Sequence, residues 1–182
     1  EEIKYIISKM ENFCKDMDFP LPYFLVVRTG NHVMEMKNVG SFESIFFGKN
    51  QDTSKENLLK IISFCDQHGI MIKEHNADYL SDRALKLHPE IGIHAVNVAP
   101  EFAVVETKAL LSLLKKNQLK KELEKFVEIS YSSNKWQKWM LKDSKLGKQE
   151  RAIISGHYIF GKREFIDLKN DIERKISLEN TL

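Results

Sequence analysis

Cysteine is scarce in this chain, which has two cysteines among 182 residues. Cys14 and Cys65 each stand beside apolar residues in a helical pattern, and no second cysteine follows either of them at C-x-x-C spacing. This spacing argues against a zinc pair. We therefore predict two reduced intracellular thiols that pack against apolar neighbours.

Long apolar runs and a strong net charge are also missing. No run approaches the roughly 18 residues that cross a bilayer, and we find no signal peptide, internal repeat or low-complexity tract. The net charge is only +2. Lysines are frequent after residue 118, but acids are interleaved with them, which is typical of a solvated helical face rather than a nucleic-acid-binding stripe. We predict a cytoplasmic protein with neither nucleic acid nor membrane as partner.

The composition is that of a soluble globular protein, with 42% hydrophobic and 30% charged residues. Three strand-like runs alternate with helix-like stretches, an order that predicts parallel strands with right-handed crossovers. The predicted strands are Tyr23–Val27, Ile70–Lys73 and Ile91–Val98. The predicted helices around them are Ile3–Met17, a helix from about Asp52 to His68, Tyr79–Leu87 and Glu101–Leu114.

Two regions depart from this alternation. Residues Arg28 to about Gln51 form a long polar stretch, and loops of this length inside a domain are often functional. From Gln118 onward the pattern indicates only helices. We predict two domains, a β/α part over residues 1–117 and a helical extension over residues 118–182.

Polar residues cluster where each predicted strand ends. His32 follows the first strand, Glu74 and His75 follow the second, and Asn97 lies at the end of the third. Side chains at the carboxyl ends of parallel strands in a β/α barrel converge on one site. A histidine there can bind a metal or polarise a substrate oxygen, although it can also be a solvated loop residue. A buried asparagine needs hydrogen bonds, which suggests a polar ligand or a network.

The other histidines give weaker signals. His68 stands at a helix end, His88 precedes proline and His94 lies inside a strand, so we predict structural roles for all three. His157 follows two tryptophans in an aromatic stretch, where packing is the favoured interpretation.

The segments after these strands resemble the second half of a class II ketose-bisphosphate aldolase. The resemblance covers about residues 20 to 160 and is greatest to the branch described as the non-catalytic subunit of D-tagatose-1,6-bisphosphate aldolase. The segments that carry it are VVRTGNHVMEMKNVGSF, IMIKEHNADY, GIHAVNVAPEFAVVETKAL and, more weakly, KWQKWM and SGHYIF.

The resemblance implies an α/β protein of the (β/α)₈ TIM-barrel type. A closed barrel takes about 250 residues, so this chain would cover the C-terminal half, with the last three strands and a helical extension. His32 and His75 match the metal-binding histidines of the family. Asn76, Ala77 and Asp78 replace its phosphate-binding glycines and serine, and Pro100 replaces its phosphate-binding threonine.

The implied activity is the reversible aldol cleavage of a phosphorylated ketose with Zn²⁺. His32 and His75 would bind the metal, and Asn97 and Glu74 would be catalytic. Substrate contacts would come from Asn97 together with Asn76, Asp78, Gly40 and Ser41. The family takes its third histidine ligand and its acid–base carboxylate from loops after earlier strands, which this sequence does not contain.

Two other hypotheses stay open. The chain can be a non-catalytic subunit that stabilises a separate catalytic aldolase, in which case its partner is that subunit. It can also be a generic α/β domain whose loop residues are merely solvated. A homo-oligomer is the expected assembly of the aldolase itself.

Overall fold

The computed structural model describes residues 2–48 and 53–179 and shows a mixed α/β protein. The strands are β1 Phe24–Val27, β2 Val33–Met34, β3 Lys37–Asn38, β4 Met71–Glu74 and β5 Ile93–Val96. The helices are α1 Glu2–Met17, α2 Phe42–Phe47, α3 Thr53–Gln67, α4 Asp82–Glu90, α5 Pro100–Lys116, α6 Lys120–Ser132, α7 Lys148–Ser155 and α8 Arg163–Glu179. Two short 3₁₀ helices span Gln137–Trp139 and Gly156–Ile159.

A parallel three-stranded sheet has the strand order β1-β4-β5. Val27 pairs with Glu74 and Glu74 with Val96, so the three strands end at the same level. The predicted parallel arrangement of these strands is confirmed. The described residues form no closed barrel.

The chain divides into two compact units, which are described separately. One contains residues 1–32 and 38–98, and the other contains residues 33–37 and 99–182. The sequence-based boundary between residues 117 and 118 stays a prediction.

The core of the first unit forms between its sheet and its helices. Strand β4 alternates between partly and fully buried residues, and Ile72 at its centre is 0% exposed. Apolar residues at helical spacing on α1 and α3 contribute Ile7, Leu58 and Ile62. Cys65 and Cys14 are also buried, and burial raises the pKa of the Cys65 thiol. The thiols therefore have the buried, apolar setting of packing residues.

The second unit is built from α5 to α8 and the two 3₁₀ helices around a separate apolar core. Leu114, Phe126 and Leu168 are at most 1% exposed there. Ser130 and Ser155 are buried within 3.0 Å of each other, and the Ser130 hydroxyl donates to the Ala152 carbonyl. These bonds satisfy the hydroxyls inside the helical core.

Local structure differs from the sequence prediction at three places. The stretch predicted as one polar loop from Arg28 contains β2, β3 and α2, while residues 49–51 lie outside the described residues. Helix α4 continues through Pro89, because a proline in the last turn removes only one intrahelical bond. Helix α7 gave no recognised signal, since it has only 8 residues.

Among residues 2–48 and 53–179, no helix combines the length and the apolar character that a bilayer crossing requires.

Candidate functional site

The loops that follow β1, β4 and β5 carry most of the residues that the sequence singles out. Because the three strands are parallel and end in register, these loops leave the sheet at the same edge. We call this edge of the first unit, with residues 28–32, 38–41, 75–79 and 97, the carboxyl rim. Active sites of open α/β sheets and of β/α barrels lie at the equivalent edge.

Asn38 joins two of these loops. Its side-chain Nδ2 donates to the carbonyls of Asn76 at 2.9 Å and of Asp78 at 3.0 Å. Its Oδ1 accepts from the backbone N–H groups of Gly40 at 3.0 Å and of His32 at 3.4 Å. The loop bearing His32 and the loop following His75 are therefore held side by side through one amide.

Backbone bonds attach the third loop. The N–H of Asn97 donates to the Glu74 carbonyl at 2.9 Å, and the N–H of Ala77 donates to the Asn97 carbonyl at 3.1 Å. Asn76 lies between these contacts with a φ of 63°, a left-handed conformation that asparagine tolerates better than most residues. The carboxyl rim is thus one hydrogen-bonded assembly of three loops.

Glu74 lies beneath the carboxyl rim at the end of the central strand and is 0% exposed. Its Oε1 accepts a short hydrogen bond from the Thr29 hydroxyl, and its Oε2 lies 2.5 Å from Nε2 of His88. Both carboxylate oxygens are therefore engaged inside the protein. The catalytic role of Glu74 stays a prediction; in the structure its carboxylate links β4, α4 and the loop after β1 inside the protein.

His88 is 2% exposed, and its hydrogen bonds define its protonation. Nδ1 lies 2.6 Å from the Ala84 carbonyl, which can only accept, so Nδ1 carries a proton. Nε2 faces a carboxylate, so the geometry favours the doubly protonated ring. Burial by itself lowers the pKa of His88, but the hydrogen bonds to Glu74 and Ala84 and the charge of Glu74 raise that pKa above its ordinary value.

Two asparagine side chains on the carboxyl rim have buried carbonyl oxygens that lack a donor. These are Oδ1 of Asn31 and Oδ1 of Asn97, and neither has a hydrogen-bond partner among the described residues. Nδ2 of Asn31 lies 3.5 Å from the Thr29 hydroxyl oxygen, whose hydrogen is directed at Glu74. Because the Thr29 hydroxyl donates to Glu74, its oxygen can only accept from Asn31. The Asn31 amide must therefore present Nδ2, not Oδ1, to Thr29.

His32 and His75, the predicted metal ligands, are both exposed on the carboxyl rim. Within the described ranges, neither ring has a hydrogen-bond partner, and no group of three or more His, Cys, Asp or Glu side chains is placed to hold a metal. A metal-binding histidine normally donates its second ring N–H to a fixed acceptor. The described residues therefore do not fit a complete zinc site, and these two histidines account for at most part of one.

The predicted substrate-binding residues have unequal exposure. Ser41 is exposed, Asn76 and Asn97 are partly buried, and Asp78 is 1% exposed. Gly40 lies where two chain segments touch, because a Cβ atom there would stand 2.1 Å from the Gly30 carbonyl oxygen. Glycine at this position permits the contact that the Ser41 N–H makes with that carbonyl at 2.8 Å.

The remaining histidines lie away from the carboxyl rim loops. Nδ1 of His68 lies 2.7 Å from Glu11, and Nδ1 of His94 accepts from the Ile72 N–H at 3.2 Å. In the second unit, the His157 ring packs on Tyr158 with centroids 3.9 Å apart. Burial, followed by the positive charge of Lys138, lowers the pKa of His157.

The sequence analysis missed the roles of three residues that organise the carboxyl rim. These are Thr29, Asn38 and His88, which pairs with Glu74. Thr29 lies two residues after the end of β1, and a polar residue near a strand end is a signal that the sequence offered. Asn38 lies inside a polar stretch where nothing distinguishes it from its neighbours. Its role depends on carbonyls that are distant in sequence.

Fold and site together define a mixed α/β chain with a polar rim at the carboxyl edge of a parallel sheet. Searches of protein-family models, of curated proteins and of solved structures find no match to this sequence.

We predict that Asn38→Ala loosens two loops at once. Its four hydrogen bonds disappear, and with about 1 kcal/mol for each net bond the loss is a few kcal/mol. Amide hydrogen exchange should become faster in residues 30–40 and 75–79 and stay unchanged in β4 and α3. Asn117→Ala, which removes a partly buried amide of the second unit that donates to the Leu113 carbonyl, is the control. Equal protection of both loops in the two variants would refute this role of Asn38.

We also predict a pH-dependent stability that depends on His88. Because its folded pKa is raised, its contribution is complete below the ordinary histidine pKa of about 6.5 and is lost as the pH rises through the raised value. His88→Gln should remove this dependence and, by leaving Glu74 buried without its partner, cost about 3–5 kcal/mol. Urea unfolding at several pH values measures both effects. His32→Gln, at an exposed ring, is the control, and a His88→Gln profile parallel to that of the control contradicts the prediction.

Proposed function

We propose that this chain forms part of a class II ketose-bisphosphate aldolase-type β/α barrel and binds a phosphorylated ketose at its carboxyl rim. The reaction class is the reversible aldol cleavage of that ketose. The proposal combines the resemblance of the strand-end motifs with the shared edge of the three parallel strands. It includes a cytoplasmic location and a homo-oligomer or a paired aldolase subunit as the assembly.

The two buried amide oxygens of the carboxyl rim are the observation that carries this proposal. A buried acceptor without a donor costs about 1–3 kcal/mol, so Asn31 and Asn97 are each poorly satisfied in the free protein. A ligand with several hydroxyl groups supplies the missing donors. A sugar has several hydroxyl groups of this kind. Sugar hydroxyls can also form hydrogen bonds with the amide, hydroxyl and imidazole groups that the carboxyl rim exposes.

The carboxyl rim supports binding through fixed rather than mobile groups. Thr29 faces the amide nitrogen of Asn31, so the Asn31 oxygen is left as the acceptor. The backbone bonds on both sides of Asn97 hold its loop against the loop after β4. Acceptors that are held in place before binding lose little conformational entropy when a ligand arrives.

Zn²⁺ is part of the proposal only through His32 and His75, each of which would supply one imidazole ligand. Since the described residues offer no third ligand near them, we derive no chemical step through a metal. The contribution of His32 and His75 by themselves is to bind and orient the sugar.

A second candidate is the non-catalytic subunit of such an aldolase. The burial of Glu74 favours it, because this carboxylate is bonded to Thr29 and His88 and does not reach a ligand at the carboxyl rim. In this role the chain stabilises a separate catalytic aldolase. Sugar-phosphate binding at the carboxyl rim is compatible with both candidates.

We predict that D-tagatose 1,6-bisphosphate binds to the protein and that Asn97→Ala and Asn31→Ala each weaken binding about 5- to 150-fold, the equivalent of one lost hydrogen bond of about 1–3 kcal/mol. Isothermal titration calorimetry measures the dissociation constants. Asn117→Ala should bind as the unaltered protein does. No heat of binding, or equal affinity in all three variants, would overturn the proposed function.

A comparison of His75→Ala with His68→Ala separates the two candidates. The aldolase candidate predicts that His75 contributes to zinc binding, so that His75→Ala lowers the bound zinc and His68→Ala does not, because only His75 lies on the carboxyl rim. The subunit candidate predicts no cleavage by the protein alone, and a higher activity and melting temperature for a co-expressed catalytic aldolase. Elemental analysis and a coupled cleavage assay measure both outcomes.

A further inference from the structure

A cavity of about 300 Å³ opens beside the carboxyl rim, on the side of α3. The loop after β1 contributes Arg28, Thr29 and Gly30, and the start of α2 contributes Ser41. Helix α3 contributes Asn57 together with the apolar residues Leu58 and Ile61. A cavity of this size accommodates a small ligand group together with a few waters.

The cavity has a positive character. Among residues 2–48 and 53–179, Arg28 is the only charged residue that lines the cavity, and no described residue forms an ion pair with the Arg28 guanidinium. Its other polar lining residues include hydroxyl and amide groups of Ser41 and Asn57. The lining residue Thr29 donates a hydrogen bond to Glu74, and the buried carboxylate of Glu74 is balanced by His88. Planar guanidinium donors bind phosphate with two parallel hydrogen bonds.

Gly30 gives the cavity its shape. Its φ of +98° is a conformation that favours glycine, and a Cβ atom there would stand 2.5 Å from the Ser41 hydroxyl oxygen. Any larger residue would displace that hydroxyl. Ser41 makes no helix-capping bond through its side chain, so its hydroxyl is available to a ligand.

The residues that stand where aldolases of this class hold phosphate do not suit an anion. Ala77 and Asp78, in the loop after β4, are both 1% exposed, and Asp78 carries a carboxylate that repels phosphate. A phosphorylated ligand at the carboxyl rim therefore needs another anchor, and the cavity at Arg28 is adjacent.

We infer that this cavity binds the phosphoryl group of a phosphate monoester through Arg28, Ser41 and Asn57. The inference rests on the proposed function for the identity of the rest of the ligand, a sugar. Anion binding by the cavity itself is a separate property of these side chains. It therefore has a test that uses inorganic phosphate and no sugar.

Isothermal titration calorimetry with inorganic phosphate at low ionic strength should show one saturable site. Arg28→Gln should weaken binding at least tenfold, and Arg28→Lys should keep part of the affinity, since lysine retains the charge without the two-pronged geometry. Lys86→Gln removes one exposed positive charge from α4 and serves as the control, with unchanged affinity expected. In ¹⁵N–¹H spectra, phosphate should shift the amides of Gly30, Ser41 and Asn57.

Absence of saturable phosphate binding would overturn the inference, and so would equal weakening by Arg28→Gln and Lys86→Gln. The outcome is distinguishable from failure of the proposed function. If phosphate binds at Arg28 but Asn31→Ala and Asn97→Ala leave sugar-phosphate affinity unchanged, the phosphate site in the cavity is retained and the sugar site at the carboxyl rim is refuted. If the asparagine variants weaken binding and Arg28→Gln does not, the reverse conclusion follows.

Discussion

A buried carboxylate at the end of the central strand constrains much of the first unit. Removing a carboxylate from water costs several kcal/mol unless its oxygens are paired and hydrogen-bonded. Glu74 meets this requirement with one partner from the loop after β1 and one from α4. The positions of Thr29 and His88 are therefore coupled to the end of β4. Thr29 in turn faces the amide of Asn31, so the constraint extends from the interior to the carboxyl rim.

The carboxyl rim combines strongly restrained and weakly restrained groups. Asn38 and the backbone bonds of Asn97 hold the loops together, whereas the rings of His32 and His75 extend into solvent. Fixed amides with buried acceptors are suited to recognising a ligand with hydroxyl groups. Exposed imidazoles without an orienting partner are not a preorganised metal site. The carboxyl rim is therefore better arranged for hydrogen bonding to hydroxyl groups than for holding a metal ion.

The sequence predicted the sheet well because apolar runs bounded by polar residues are a local signal. Strands β1, β4 and β5 lie within or next to the three predicted runs, and their parallel pairing follows from the intervening helices. Local signals failed where elements are very short, as in β2, β3, α2 and α7. A strand of 2 residues has no periodicity to detect.

The candidate site was predictable in its location but not in its contacts. Residues after parallel strands must leave the sheet at one edge, so placing His32, His75 and Asn97 near each other needed only the strand order. The burial of Glu74 was not predictable in the same way. Glu74 is the last residue of β4 and is buried, whereas His75, the next residue in the chain, lies beyond the strand and is exposed.

The amino-acid sequence alone determined which segments are strands and helices and where polar residues collect, because these depend on residues close together in the chain. Only the tertiary structure determined that Glu74 pairs with His88, that Asn38 joins two loops and that Arg28 faces a cavity. Those contacts join residues that are distant along the chain. Their geometry depends on packing and on the direction of each hydrogen bond, which no local pattern encodes.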